Sequence, residues 1–357
     1  MKKINVSAPG KLHLLGEHIV VYNKPAIIAA VSKRCFVEIT PQKDKKIEVV
    51  STNLKASKIV TEKEIVAKTK DAQSKWETYI KTNDIVLLKS ITSDPLDFPI
   101  IVIGEALKYL KKTLSSGFKL SIKSDIPIGS GMGSSAAVAV SVAGAIYLLF
   151  NKTFDKEIVN EIAYLAEQKK HGLPSGGDNA ASCFGGMVWY RKETPDLKII
   201  KPIPFPFPQK LAKNFVAIHT GTPSESTGEM VSAVRTLNQQ KPEFVEEILS
   251  GQEKLVRELL SAIKTTGESE LVRIIKEGEK NLENLGVVSG LAKSFIRKIE
   301  EMGGVAKICG AGGITKGSGM VLAYSKDKKT IEKLAESNKF LHINLSLGVE
   351  GLREENE

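Results

Sequence analysis

The segment PIGSGMGSSAAVAVSVAGA, residues 127 to 145, constrains the fold more than any other part of the chain. Its first nine positions hold three glycines and three serines, and a run of small, mostly apolar residues follows directly. Glycine adopts backbone conformations that other residues disfavour, whereas small apolar residues let a helix pack closely against its neighbours. The segment therefore predicts a loop that leads straight into a buried helix. That helix is too short for the ~20 apolar residues of a membrane span.

The length of the chain predicts two domains. A chain of 357 residues is too long for one ordinary core, and its 42% hydrophobic content is typical of globular proteins. Four prolines lie within PIPFPFPQK, residues 202 to 210, so we place a boundary there and expect domains at 1–200 and 201–357. Strand-like and helical patterns alternate in both parts, which predicts an α+β fold.

Two parts of this pattern carry more specific expectations. Residues 51 to 98 are polar, rich in lysine and weakly periodic, so we expect a lid-like excursion there. Three helical patterns run from about 226 to 302. The tail then reads as strand, glycine loop, strand, helix and strand.

The glycine-rich loop is a candidate site for an anion. Backbone N–H groups of such a loop converge on phosphate, and a helix N-terminus adds about half a positive charge. Gly129, Gly131 and Gly133 lack Cβ atoms that would keep phosphate oxygens away, and Ser134 and Ser135 place hydroxyls where they cap the helix or ligate Mg²⁺. The loop is not a Walker A motif, because no lysine follows its last glycine. A capped turn before a buried helix is the alternative.

A second glycine-rich segment, KICGAGGITKGSG, covers residues 307 to 319. Two such loops in one chain suggest that one holds a polyphosphate while the other closes over phosphate or substrate. The alternative is a hairpin turn between strands at 304–309 and 319–324.

Four charged side chains lie near predicted turns. Lys11 follows a Pro-Gly turn at the end of a strand, where a lysine can stabilise a phosphoryl group, and His18 lies on the next turn. Glu167 lies near the end of a helix, and Asp178 lies in a loop 11 positions later. One carboxylate can hold Mg²⁺ while the other accepts a proton from a hydroxyl. Ordinary surface, core or turn positions are the alternatives for all four residues.

Composition and charge indicate which binding partners and which cellular compartment suit the protein. The net charge of +10 favours anionic partners such as nucleic acid, a membrane surface or phosphorylated small molecules, and lysines scattered over solvated faces are the alternative. The lysine clusters at 43–46 and 326–329 lack interleaved aromatic residues, so we expect no nucleic-acid-binding surface. The three cysteines are widely spaced and odd in number, which predicts no disulfide framework and suits the cytoplasm. The N-terminal MKKINVSAPGK lacks the apolar region of a secretory signal, and we expect no membrane association.

Together, four segments resemble the GHMP kinase superfamily. They are APGKLHLLGEHIVVYNKPA (8–26), PIGSGMGSSAA (127–137), EQKKHGLPSGGDNAASCFGG (167–186) and KICGAGGITKGSG (307–319). Within the superfamily, the first and third resemble most closely the mevalonate kinase family, and the pattern HGxPSGxDN is the most specific. HTGTPSESTGEMVSAVR (219–235) resembles that family's substrate-side strand and helix.

The resemblance implies a two-domain GHMP kinase fold, with an N-terminal domain like ribosomal protein S5 and a ferredoxin-like C-terminal domain. It implies that ATP phosphorylates mevalonate at its primary hydroxyl in the cleft between the domains. Another GHMP small-molecule kinase, for phosphomevalonate or a sugar, is the alternative. Mg²⁺ would accompany ATP, and a homodimer is left open. Ile314, Thr315 and Lys316 interrupt the second glycine motif, which predicts a longer and bulkier loop there.

The resemblance also implies a role for each matching residue. The catalytic pair would be the base Asp178 and its neighbour Lys11. ATP would contact Gly129, Ser130, Gly131, Met132, Gly133, Ser134, Ser135, Gly310 and Gly312. Mevalonate would contact Glu17, His18, Asp178 and Thr227. Mg²⁺ would bind Ser135 and Glu167.

Overall fold

Two β-sheets flanked by helices organise the protein. The structure is a computed structural model that describes residues 2–127, 129–194 and 197–356. The described strands are β1 (Ile4–Leu15), β2 (Ala26–Pro41), β3 (Lys46–Ser51), β4 (Ala56–Thr61), β5 (Phe118–Ser124), β6 (Met187–Lys192), β7 (Lys198–Pro202), β8 (Phe215–His219), β9 (Val305–Cys309), β10 (Met320–Tyr324), β11 (Leu341–Ile343) and β12 (Arg353–Glu354). The described α-helices are α1 (Glu62–Thr82), α2 (Ile85–Ile91), α3 (Asp97–Leu110), α4 (Ser134–Phe150), α5 (Lys156–His171), α6 (Gly177–Phe184), α7 (Gln209–Ala212), α8 (Thr227–Gln240), α9 (Pro242–Thr265), α10 (Glu268–Asn284), α11 (Gly290–Glu301) and α12 (Lys328–Ser337).

The larger sheet has the order β12-β1-β2-β5-β3-β4, with β6 paired to β2 and β7 paired to β6. Its ladders are antiparallel except for the parallel pair of β3 and β5. Helix α4 packs against β1 and β2, with α3, α5 and α6 around it. Its residues from Ala136 to Tyr147 are buried apart from Val138, which confirms the expected core helix. A Cβ on Gly144 would lie 2.9 Å from Leu352, so the small residue is needed for this close packing.

The expectation of a lid-like excursion at 51–98 was wrong. This segment contributes β4 to the sheet, and α1 packs on α3 and α5. Ile65, Thr69 and Ala72 form a narrow buried stripe at helical spacing, between exposed lysines that hide the periodicity. In α3, Gly104 leaves room for α1, because a Cβ there would lie 1.9 Å from the Thr69 hydroxyl.

The smaller sheet has the antiparallel order β11-β8-β10-β9 and confirms the predicted order of elements in the tail. The three helical patterns expected between 226 and 302 are four helices. The difference arises at Pro242, which begins α9 directly after α8. Proline lacks an N–H group and fits the first position of a helix, so it starts a new helix there.

The C-terminal residues return to the larger sheet. Strand β12 pairs with β1, and buried Arg34 on β2 donates to the carbonyl oxygens of Glu350 (2.7 Å) and Gly351 (2.6 Å). Apart from β12, the two sheets divide the chain between Pro202 and Phe215. In the parts of the chain that the structure describes, we find no helix of the length and apolarity needed to span a bilayer.

Candidate active site

The first glycine loop has a backbone conformation that its glycines make possible. Gly129, Gly131 and Gly133 all have positive φ, at 71°, 76° and 70°, which side chains strongly disfavour. Met132 is fully buried. The buried Ser130 hydroxyl donates to the carbonyl of Pro127 at 2.7 Å. Gly133 is the N-cap of α4, and no side chain caps the first turn. Ile128, which follows Pro127, lies outside the described residues.

Lys11 lies against this loop. Its N–H donates to the carbonyl of Met132 at 2.9 Å, so β1 and the loop share a backbone hydrogen bond. A Cβ on Gly133 would lie 2.8 Å from the Lys11 Cγ. The lysine side chain therefore runs along the loop backbone, and its Nζ lies 3.0 Å from Asp178 Oδ2.

Asp178 lies in the first turn of α6, where the helix dipole favours a carboxylate. The helix begins after Gly176, with φ of 89°, and at Gly177, where a Cβ would lie 2.6 Å from Ile28 on β2. This tight contact brings the start of α6 onto the strands. Burial raises the pKa of Asp178, but the charge of Lys11 and the contact with His13 outweigh it and hold the pKa below its usual range. The Asp178 side chain is 37% exposed, so it is accessible.

Ser135 and Glu167, which the family resemblance implies as ligands of Mg²⁺, lie close together. The Ser135 hydroxyl is 3.3 Å from Glu167 Oε2 and 3.0 Å from His171 Nε2. Glu167 is buried, and among the described residues its Oε1 has no hydrogen-bond partner. Burial raises the pKa of this carboxyl to about 7. Its Oε2 also lies 3.7 Å from His171 Nε2, but burial lowers the pKa of His171 to about 4, so that ring carries no charge at pH 7.

Glu17 and His18 lie where the two sheets meet. Glu17 forms a buried ion pair with Lys307 on β9. His18 has a φ of 62°, and its Nε2 lies 2.9 Å from the Ala311 carbonyl in the second glycine loop. Burial lowers the pKa of His18. Its Nδ1 is buried without a partner in the described structure.

The second glycine loop adjoins the first. A Cβ on Gly131 would lie 3.6 Å from the Cys309 carbonyl, at the end of β9. The two glycines of this motif differ. A Cβ on Gly310 would meet no atom within 4 Å, whereas one on Gly312 would lie 2.0 Å from the Val287 carbonyl. Gly310 therefore faces open space, and Gly312 is packed against its neighbour.

Ile314, Thr315 and Lys316 interrupt the second glycine motif and are exposed. Glu225 holds the first two by hydrogen bonds. Glu225 accepts from the N–H of Ile314 at 3.2 Å and from the hydroxyl of Thr315 at 2.8 Å. Lys316 is exposed beside them. Thr227 is also exposed, at the first position of α8, where Ser226 and Glu229 form a capping box. The structure thus places Thr227 at an exposed position at the start of α8.

Sequence reasoning missed three residues of this region. His13 Nε2 lies 3.6 Å from Asp178 Oδ1, and its position two residues after Lys11 on a strand was the available signal. His171 follows Glu167 by four residues, which places both on one face of α5. Lys307 carried no local signal, because its partner Glu17 is 290 positions away.

Comparisons with known proteins indicate the family of the chain. Residues 101–186 match the family model for the GHMP kinases N terminal domain. The mevalonate kinase of Pyrococcus furiosus is 30% identical over 338 residues, covering 92% of this chain and 90% of that protein. The mevalonate kinase of Pyrococcus abyssi is 31% identical over 358 residues, covering 92% of this chain and 98% of that protein.

Solved structures show the same fold. The Methanococcus jannaschii mevalonate kinase superposes with a TM-score of 0.78 at 22% identity, covering 97% of this chain and 98% of that one. A Lactococcus lactis galactokinase complexed with galactose superposes with a TM-score of 0.72 at 16% identity, covering 99% and 95%. The fold is therefore shared by kinases with different substrates, and the sequence relatives make the finer distinction. The chain belongs to the mevalonate kinase family of the GHMP kinases.

Proposed function

We propose that Asp178 and Lys11 are the groups with which this member of the mevalonate kinase family transfers the γ-phosphoryl group of ATP to the primary hydroxyl of mevalonate. The product would be 5-phosphomevalonate. The observation that carries the proposal is the 3.0 Å pair of Lys11 and Asp178 directly beside the first glycine loop. A carboxylate, a buried cation and an anion-binding loop are the parts that phosphoryl transfer requires.

Asp178 would act as the general base. It is ionised at neutral pH, a form that the Lys11 charge stabilises, so it can accept the hydroxyl proton as the oxygen attacks phosphorus. Lys11 contacts Oδ2 at 3.0 Å, whereas His13 contacts Oδ1 at 3.6 Å. Oδ1 has the longer contact and is thus the better proton acceptor. The ammonium group would also offset charge on the transferred phosphoryl group.

The first glycine loop would hold the β- and γ-phosphates. Its positive-φ glycines expose backbone N–H groups, and the uncapped start of α4 adds the helix dipole. Ser130 and Met132 would contribute through backbone N–H groups that now make long 3.4 Å contacts with the Pro127 carbonyl and the Ser130 hydroxyl, since the hydroxyl of one is bonded and the side chain of the other is buried. In the second loop, Gly310 would approach the nucleotide and Gly312 would support the turn.

Ser135 and Glu167 fit a magnesium ion. Mg²⁺ prefers oxygen ligands and keeps several waters, so one carboxylate, one hydroxyl and the phosphates suffice. The unpartnered buried Oε1 of Glu167 supports this assignment, because a buried carboxylate without a partner is costly. Bound Mg²⁺ would supply charge neutralisation for the phosphates.

The substrate side is formed by the turn that carries Glu17 and His18. Because Lys307 already pairs with Glu17, we expect this carboxylate to shape the pocket rather than to bind substrate charge. The free Nδ1 of His18 is available to a substrate oxygen. Thr227 remains a predicted contact, and the loop before it adjoins the first glycine loop, since a Cβ on Gly129 would lie 3.8 Å from the Thr222 hydroxyl.

Steady-state kinetics with mevalonate, phosphomevalonate, homoserine and galactose would test the substrate, with ADP formation as the readout. We expect turnover with mevalonate. Turnover of another member of the panel with mevalonate inert would contradict the proposal and support a different GHMP kinase activity.

Replacing the base tests the roles of the residues. Asp178→Asn should lower kcat by about 10² or more, as expected for loss of a general base, with nucleotide affinity nearly unchanged. Asp97→Asn is the matched control, because Asp97 is a buried aspartate paired with Lys68 at 2.7 Å outside the site. Full turnover by Asp178→Asn would exclude it as the base.

A further inference from the structure

His13 is, with Lys11, the second side chain that contacts Asp178, the candidate base. Its Nε2 lies 3.6 Å from Asp178 Oδ1, while Lys11 Nζ lies 3.0 Å from Oδ2. Lys11 and His13 are two residues apart on β1, so both side chains project from one face of the strand toward α6. The His13 side chain is 12% exposed, which places it at the inner wall of the site.

The fold places His13 there through several close contacts. His13 is paired across the ladder with Ile28, and Ile28 is the residue against which Gly177 packs. The first turn of α6 therefore rests on the His13–Ile28 pair. The β1–β2 register shifts directly after His13, and such irregularities re-aim side chains beside functional sites.

The other ring nitrogen of His13 supports a specific role. Among the described residues, the buried Nδ1 has no hydrogen-bond partner, so Asp178 is the polar group that this ring contacts. With the proton on Nε2, the ring donates toward the carboxylate and leaves Nδ1 as the unpaired acceptor. A buried nitrogen without a partner is unfavourable, and such exceptions call for an explanation.

A carboxylate held at one oxygen can still rotate. The Lys11 contact fixes Oδ2, but the oxygen that accepts the proton must also face the attacking hydroxyl. At 3.6 Å, the His13 contact is longer than an ordinary hydrogen bond, so it is a weak polar contact that favours this orientation of Oδ1. Small errors in such geometry are costly for catalysis.

We propose that His13 is a positioning residue for phosphoryl transfer, which holds Oδ1 of Asp178 toward the reacting hydroxyl through its Nε2–H group. The inference rests on the proposed function of Asp178 as the general base. It assigns His13 no contact with ATP, and it predicts an effect on kcat rather than on nucleotide affinity.

The test compares His13→Gln with His13→Met. The two replacements have nearly the same length and volume, but only the glutamine amide can donate to Asp178. We expect His13→Met to lower kcat by about tenfold or more and His13→Gln to stay within about threefold of the wild type, with the KM for ATP unchanged in both. His342→Leu is the control, because it removes a 3.1 Å contact with Glu336 outside the site.

A double-variant cycle then separates positioning from other effects. In the Asp178→Asn background, His13→Met should cause no further loss of kcat, because it acts through the base. Equal kcat for the Gln and Met variants, or an undiminished effect of His13→Met in the Asn background, would overturn the inference. If the Met variant does not fold, a Gln variant within threefold of wild-type kcat supports it and a larger loss overturns it. Inactivity of the wild type with mevalonate would instead overturn the proposed function.

Discussion

Replacing Lys307 with methionine should destabilise the protein through one buried charge. Lys307 and Glu17 are each 1% exposed and form an ion pair between β9 and the turn after β1. Glu279 lies beside them, and its Oε2 accepts the N–H of Ile308 at 2.9 Å. Burial raises the pKa of Glu279 to about 8, so this second carboxyl is mostly protonated at pH 7. The cluster of Glu17, Glu279 and Lys307 thus contains two carboxyl groups and one lysine, and Glu279 carries a proton.

The magnitude follows from which partner is lost. Lys307→Met leaves Glu17 as an uncompensated buried carboxylate, which costs about 3–5 kcal/mol. Glu17→Gln leaves Lys307 without its partner, but Glu279 can ionise in its place. With a pKa of about 8, ionising Glu279 at pH 7 costs one pH unit, or about 1.4 kcal/mol. We therefore expect Glu17→Gln to cost less than half as much as Lys307→Met.

Urea unfolding at pH 7 without nucleotide measures these differences. Glu279→Gln alone should be more stable than the wild type at this pH, because Glu279 must take up a proton when the chain folds and the amide need not. The double variant Glu17→Gln/Glu279→Gln removes both counterions, so relative to Glu279→Gln alone it should cost as much as Lys307→Met. If Glu17→Gln alone were as destabilising as Lys307→Met, Glu279 would not act as the substitute counterion and the reasoning would be refuted.

Two other predictions concern the pH dependence of stability and the first glycine loop. The pKa of Glu279 is raised from about 4.5 in the unfolded chain to about 8, so its contribution to stability is present below pH 4.5 and is lost as the pH rises through 8. Glu279→Gln should therefore gain stability relative to the wild type between pH 6 and pH 9, and parallel thermal melting curves across that range would contradict the assignment. Gly133→Ala and Gly131→Ala impose similar strain at φ of 70° and 76°, but only the first places a Cβ 2.8 Å from Lys11. Gly133→Ala should thus lose kcat by about tenfold more than Gly131→Ala, and equal losses in a kinase assay would show that Lys11 is not displaced.

The parts of the site that were predictable from the sequence are those with local patterns. The first glycine loop, the start of α4 and the acidic residues of α5 and α6 each occupy one short segment, so spacing and chemistry indicate their place. Lys11 and Asp178 were predicted as partners from a family resemblance, and the structure brings them to 3.0 Å.

The missed features depend on tertiary contacts. Lys307 is an ordinary lysine in a strand until the fold places Glu17 against it. His13 gains its neighbour only when Gly177 packs on Ile28. Helix α1 was misjudged because three buried positions among many lysines give weak periodicity, although they suffice once α3 lies opposite.

The return of the C-terminal residues to β1 has a consequence for folding. Strand β1 carries Lys11, and its outer edge pairs with Arg353 and Glu354, more than 300 positions later. Gly351 also packs against Gly185 at the end of α6, the helix that carries Asp178. During synthesis from the N-terminus, the outer edge of β1 stays unpaired until these residues emerge, and Arg34 has its Ser7 hydrogen bonds but not those to Glu350 and Gly351. Contacts this distant in sequence slow folding, so we expect the pairing of β1 with β12 to form late.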